Sequence, residues 1–121
     1  MNKAFLLNEL LREFESNTPV KISAVVSRDG LIIASINDYQ LNEDSIAGLA
    51  ADITILSERT MKELLNTTVK KLIIDSKDGS IILIPAGDEA IIFSLIPNMK
   101  NLGIVIFNLE KLANKVKKIL I

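Results

Sequence analysis

The segment Glu43–Leu65 constrains the fold more than any other, because it carries more apolar residues than one helix face can use. At about 100° per residue, Ile46, Leu49, Ala50, Ile53, Leu56, Met61 and Leu64 form one broad apolar stripe. Beside it runs a second row, Ala47, Ala51, Thr54 and Leu65. Asn42 stands where an N-cap is needed, and Glu43 and Asp44 fall in the first turn, where negative charge complements the helix dipole. A surface helix needs only one apolar stripe, so this one is expected to be covered on two sides. Small residues in the second row let another helix approach closely. A large intramolecular core or a second copy of the chain could supply the cover. A chain this short offers little material for both sides, so a dimer contact through Ala47, Ala51, Thr54 and Leu65 is the preferred reading.

The flanking segments supply a sheet. Val20–Ser27 and Leu31–Ile36 are rich in β-branched residues and enclose Arg28-Asp29-Gly30, a strong hairpin signal because both Asp and Gly tolerate positive φ. Three further strands are expected at Val69–Asp75, Ile81–Ala86 and Ala90–Ile96, joined by turn-forming stretches around Gly79 and at Gly87-Asp88. Ala90–Ile96 is apolar almost throughout, as a central strand covered on both faces would be. Lys70 and Lys71 mark the third strand as an edge.

Two more helices complete the order. Leu7, Leu10, Leu11 and Phe14 hold helical spacing across residues 3–15, and Asn17-Thr18-Pro19 ends that helix. Gly103-Ile104-Val105-Ile106-Phe107 has the local propensity of a strand. Helical spacing nevertheless runs from Leu102 through Val105, Leu109, Leu112 and Val116 to Leu120, so one helix is expected over about 101–119, capped by Asn101. The result is a single domain over residues 1–121. It is an α/β (α+β) fold of order α-β-β-α-β-β-β-α, with a five-stranded antiparallel sheet and helices on both faces.

Composition narrows the chemistry. There is no Cys, which excludes disulfides, iron–sulfur clusters and thiol catalysis, and no His, which removes the commonest general base and metal ligand. A net charge of −1 gives no reason to expect nucleic acid or an anionic membrane as partner. Phe5-Leu6-Leu7 is interrupted by Asn8 and Glu9, so it does not read as a signal peptide, and no apolar run reaches the ~18 residues of a membrane span. A cytoplasmic protein without direct membrane insertion is expected. Hydrophobic residues make up 49% of the chain, a large share for a domain with so much surface to cover, and part of the excess fits a subunit interface.

Three stretches carry a resemblance to a known family. They are the run from Ala24 to Ser35 (AVVSRDGLIIAS), the Pro85-Ala86-Gly87-Asp88 turn before an apolar strand, and Asn101-Leu102-Gly103 opening the last helix. In this order and spacing, together with the order of elements, they resemble the Roadblock (dynein light-chain) family, above all its single-domain prokaryotic members. One departure is Asn17-Thr18-Pro19-Val20-Lys21, where the family often has Gly near the entry to the first strand. The resemblance implies a homodimer that extends its sheet through an edge strand and pairs its central helices. That implication falls on Leu72 and Ile74 in the edge strand and on Ala47, Ala51 and Thr54. It also implies binding of a small Ras-like GTPase, as a regulator or a scaffold.

Catalytic and cofactor roles find little support in the residues. The five glycines are scattered, without a phosphate loop leading into Lys-Ser or Lys-Thr. Asp29, Asp78, Asp88 and Glu89 are isolated turn carboxylates without repeated ligand spacing, and Ser27 and Ser35 have no His to act as base. No cofactor, no metal and no enzymatic activity are expected. Arg59 lies on the polar side of the central helix near Asp52 and Ile55, where it could position a GTPase, and nothing in the sequence aims it at a phosphate as a catalytic finger. Asp52, Ile55 and Arg59 are therefore the expected docking residues, an apolar centre with a charged rim. A PAS-like small-molecule sensor is the alternative, and it would require a pocket with convergent polar groups.

Overall fold

A computed structural model of the chain describes residues 2–97 and 102–121, so Asn101, the expected cap of the last helix, lies outside the described residues. The elements are α1 (Lys3–Ser16), β1 (Ile22–Ser27), β2 (Ile32–Asn37), α2 (Glu43–Leu65), β3 (Leu72–Ser76), β4 (Gly79–Ala86), β5 (Ala90–Ile96) and α3 (Leu102–Leu120). Their order is the expected one. Asn2 and Asn42 cap α1 and α2, each side chain accepting from a first-turn amide at 2.8 and 2.9 Å. Asn66 ends α2 in the left-handed conformation. At the end of α1 the Thr18 hydroxyl donates to the Phe14 carbonyl at 2.9 Å, and residues 17–21 reach β1 without positive φ or glycine.

The strands form one antiparallel sheet in the order β2-β1-β5-β4-β3. β5 lies at its centre, as its unbroken apolar run implies. Ile92 and Ile96 face α1 and α3, in a core with Leu7, Leu11, Val105 and Leu109. Ile91 and Phe93 face α2 on the opposite side, with Ile22, Ala24, Val26 and Leu83. Val105 and Leu109 are fully buried and helical, so the stretch around Gly103–Phe107 follows its 3.6-residue period and not its local strand propensity. Tertiary burial of the apolar stripe outweighs the weaker intrinsic preference of Ile and Val.

Two expectations need correction. The third strand was expected from Val69, but pairing with β4 begins at Leu72, and Lys70 and Lys71 precede it. More consequential is the row Ala47, Ala51 and Thr54, which faces the chain's own sheet with exposures of 0%, 3% and 2%. These residues belong to the core under α2 and have no surface left for a second copy. The cause is the β1–β2 hairpin. Gly30, at φ +83°, presses its turn against α2, and a Cβ on it would lie 3.4 Å from the Gly48 Cα and 3.8 Å from the Ala51 Cβ. Only small residues on the helix permit that approach.

One buried polar contact ties α1 to the sheet. Ser23, fully buried on β1, donates to Glu15 Oε2 at 2.6 Å. Burial, with Asp38 nearby adding to it against the opposing Ser23 hydrogen bond, pushes the Glu15 carboxyl up from the ordinary 4.5 to about 7.

Candidate protein-binding interface

At 23 residues and about 1.5 Å per residue, α2 is roughly 35 Å long. Its buried residues are Ile46, Ala47, Ala50, Ala51 and Thr54, none beyond the midpoint of the helix. The larger apolar side chains lie elsewhere on the helix. Leu49 is 68% exposed, Leu56 59% and Leu64 75%, with Ile53 also open to solvent. So many large apolar side chains on one helix mark an interaction surface rather than scattered surface residues.

The sheet continues this surface. Leu49, Ile53 and Leu56 line an apolar trough of about 360 Å³ together with Ile74, Ile81, Leu83 and Phe93. Leu56 also borders a second groove of about 830 Å³, between Thr60 and Met61 on one side and residues 67–73 on the other. Leu72 is paired with Leu83 and Ile74 with Ile81, so both β3 residues point to the α2 side of the sheet. β3 itself ends the sheet, turning a row of peptide groups outward as a template for a further strand. Of the residues expected at a dimer contact, Leu65, Leu72 and Ile74 thus border open surface. Leu49, Ile53 and Leu56 take the place of Ala47, Ala51 and Thr54.

Asp52, Ile55 and Arg59 fall within about 60° of one another around α2 and are all exposed, Ile55 at 40%. Glu58, next to Arg59 in sequence, turns inward to pair with Arg28 of the hairpin. Arg28 also donates through Nη2 to the Gly87 carbonyl at 3.0 Å, joining the hairpin, α2 and the β4–β5 turn. Its two arms span 30 and 59 residues of sequence and had no local signal. The ion pairs among the described residues are Arg12–Glu9 and Arg28–Glu58, so Arg59 stands outside both. The described residues include no cluster of three or more metal-ligating side chains, and no described helix is long and apolar enough to cross a membrane.

Comparison with known proteins bears on this architecture. Residues 6–95 match the Roadblock/LC7 domain family. An uncharacterised protein of Methanocaldococcus jannaschii is 28% identical over 112 residues, spanning 93% of this chain and 97% of the relative. Among solved structures, Myxococcus xanthus MglB superposes with a TM-score of 0.92 at 17% identity, covering 99% of this chain and 91% of that one. A further MglB structure, in a tetrameric arrangement, gives a TM-score of 0.88, also at 17% identity, over 98% and 90% of the two chains. At such identities the structural likeness is one of fold.

Proposed function

The chain belongs to the Roadblock/LC7 domain family, and we propose that it works as a homodimeric adaptor that holds or regulates a small Ras-like GTPase. The observation that carries this reading is the open apolar face of α2 beside the unpaired edge of β3. A second copy related by a two-fold axis covers both at once, laying α2 against α2 through Leu49, Ile53 and Leu56 and extending the sheet at Leu72 and Ile74. Leu65, exposed at the end of α2, lies at the margin of the same contact.

Pairing two α2 helices also makes a shared platform, with Asp52, Ile55 and Arg59 of each copy at its outer side. An apolar centre with a charged rim suits a protein partner, with the rim setting specificity and encounter rate. The Arg28–Glu58 clamp holds the middle of α2 to the body of the domain, so the platform is rigid before the partner arrives. We assign the chain a positioning role, in keeping with Arg59 standing exposed and outside the ion pairs among the described residues. The groove beside Thr60 and Met61 adjoins the face assigned to the second copy, which favours an interface over a sensor pocket there.

The experiment is a titration of Ras-like GTPases encoded in the same genome, loaded with GDP or a non-hydrolysable GTP analogue. Ile55→Asp is expected to lower affinity at least about 30-fold, the equivalent of ~2 kcal/mol at an interface centre. The dimer and its melting temperature should stay near wild type. Wild-type binding by that variant would move the docking face elsewhere, and an unfolded variant would place Ile55 in the core.

A further inference from the structure

The helical layer on the far side of the sheet carries a segregated charge pattern that the reading above leaves unused. Phe14 and Asn17 of α1 lie beside Asn108 of α3, and Leu6 and Leu10 lie beside Ile119, so the two helices run antiparallel. On the outer face of α1, Glu9 and Glu13 follow the exposed Phe5 at four-residue steps, Glu9 also pairing with Arg12 of the adjoining row at 3.7 Å. On the outer face of α3, Lys111 and Lys115 follow the exposed Phe107 at the same steps, with the Lys111 ammonium 5.2 Å from the Phe107 ring centre. Each step advances about 6 Å along a helix. One helix therefore presents an acidic row and its neighbour a basic row of matching pitch. Glu13 borders the same small groove as Lys111 and Lys115, yet the ion pairs among the described residues do not join them.

We infer that this α1–α3 face is a second self-association surface, whose occupant is the same face of another copy. A two-fold axis lying in the contact plane along the α1–α3 seam places α3 of one copy over α1 of the other. The acidic row of each copy then meets the basic row of its mate, twice over. Because such an axis preserves height along the seam, the antiparallel placement of α1 against α3 sets the register. Phe5 and Phe107 stand at opposite ends of the layer as apolar anchors. The face is mostly polar, so the contact is weak and strengthened at low ionic strength, where charges about 6–10 Å apart are poorly screened. Together with the α2 contact it gives each chain two different isologous surfaces, which build either a closed tetramer or an open chain of dimers.

Charge-segregated variants test it by sedimentation velocity on the full chain in about 50 mM and about 500 mM salt. Wild type is expected to double its mass at low salt, with association weakened about tenfold or more at high salt. This step is read equally well from a dimeric or a monomeric starting species, so it stands or falls separately from the α2 contact. Lys111→Glu/Lys115→Glu makes both rows acidic and Glu9→Lys/Glu13→Lys makes both rows basic. Neither should associate alone, their equimolar mixture should regain the wild-type step, and both should melt like wild type, since all four side chains are exposed. A wild type with no salt-dependent step, variants that associate unchanged, or a mixture that stays dissociated would each overturn the inference. So would wild type binding phosphatidylserine vesicles without associating with itself while the all-acidic variant does not bind, since the face would then serve a membrane.

Discussion

Replacing Ala51 with Glu separates two orientations of α2 that the sequence alone leaves open. In the structure Ala51 is 3% exposed and sits under the hairpin turn at Gly30. A glutamate there would be buried in the apolar core under α2, so at pH 7.5 it must take up a proton to stay buried. From an ordinary pKa near 4.3, at about 1.4 kcal/mol per pH unit, that requirement costs about 4 kcal/mol. Forcing four more non-hydrogen side-chain atoms than alanine has into the close helix–hairpin contact adds about 1–3 kcal/mol. The total rivals the 5–15 kcal/mol that holds a typical domain together. The variant should therefore be largely unfolded by circular dichroism at pH 7.5 and regain stability toward pH 5, as the protonation cost shrinks. Ile53→Asp, at a position 37% exposed in the trough, should stay folded and run as a monomer in light scattering. If Ala51→Glu is folded and monomeric with an unchanged urea midpoint, Ala51 faces a second copy and the helix is rotated from the orientation described above.

Two further substitutions probe single groups. The raised Glu15 pKa means the folded state holds that proton more tightly than the unfolded chain does. Its contribution to stability is full below about pH 4.5 and is lost as pH rises through about 7; Glu15→Gln should remove this fall and stabilise the protein at pH 8 by about 1 kcal/mol, after allowance for the partial exposure of the carboxyl. Equal urea midpoints for the two proteins at pH 8 would refute it. The Thr54 hydroxyl is buried without a hydrogen-bond partner among the described residues, so Thr54→Val should raise the urea midpoint by the equivalent of about 1 kcal/mol with an unchanged slope. A lowered midpoint would show that the hydroxyl is satisfied in solution.

Much of the fold was legible because local chemistry and tertiary packing agree. Asp29-Gly30 reads as a turn, and Gly30 does take positive φ there. The unbroken apolar run Ala90–Ile96 reads as a central strand, and both faces of β5 are covered. That Asp52, Ile55 and Arg59 share one exposed side of α2 was legible from spacing alone. Spacing could not say which apolar row of α2 turns toward the sheet. Ranked by hydrophobicity, Leu49, Ile53 and Leu56 should take the core and the alanines should be left for a close helix neighbour. The opposite holds because a distant turn sits against the helix, and the value of a small side chain at that contact appears only once Gly30 and Ala51 are seen together. The Arg28–Glu58 pair was hidden for the same reason, since nothing near either residue in sequence indicates the other.

The small core row has a consequence for the exposed one. A helix seated this closely on the hairpin holds its larger side chains beside the contact instead of beneath it, where they overhang the sheet between α2 and β3. Leu49, Ile53 and Leu56 therefore cannot be drawn inward by a modest tilt of α2, because Ala47 and Ala51 already touch the hairpin and Arg28 holds Glu58. The same restraint fixes the opposite side of the helix, so Asp52, Ile55 and Arg59 keep their spacing whether or not a partner is present. A surface ordered in advance loses less conformational freedom on binding than one that must first be ordered. Close seating of α2 thus links the alanines of the core both to the exposed apolar face, where we propose the second copy, and to the polar face proposed for a partner.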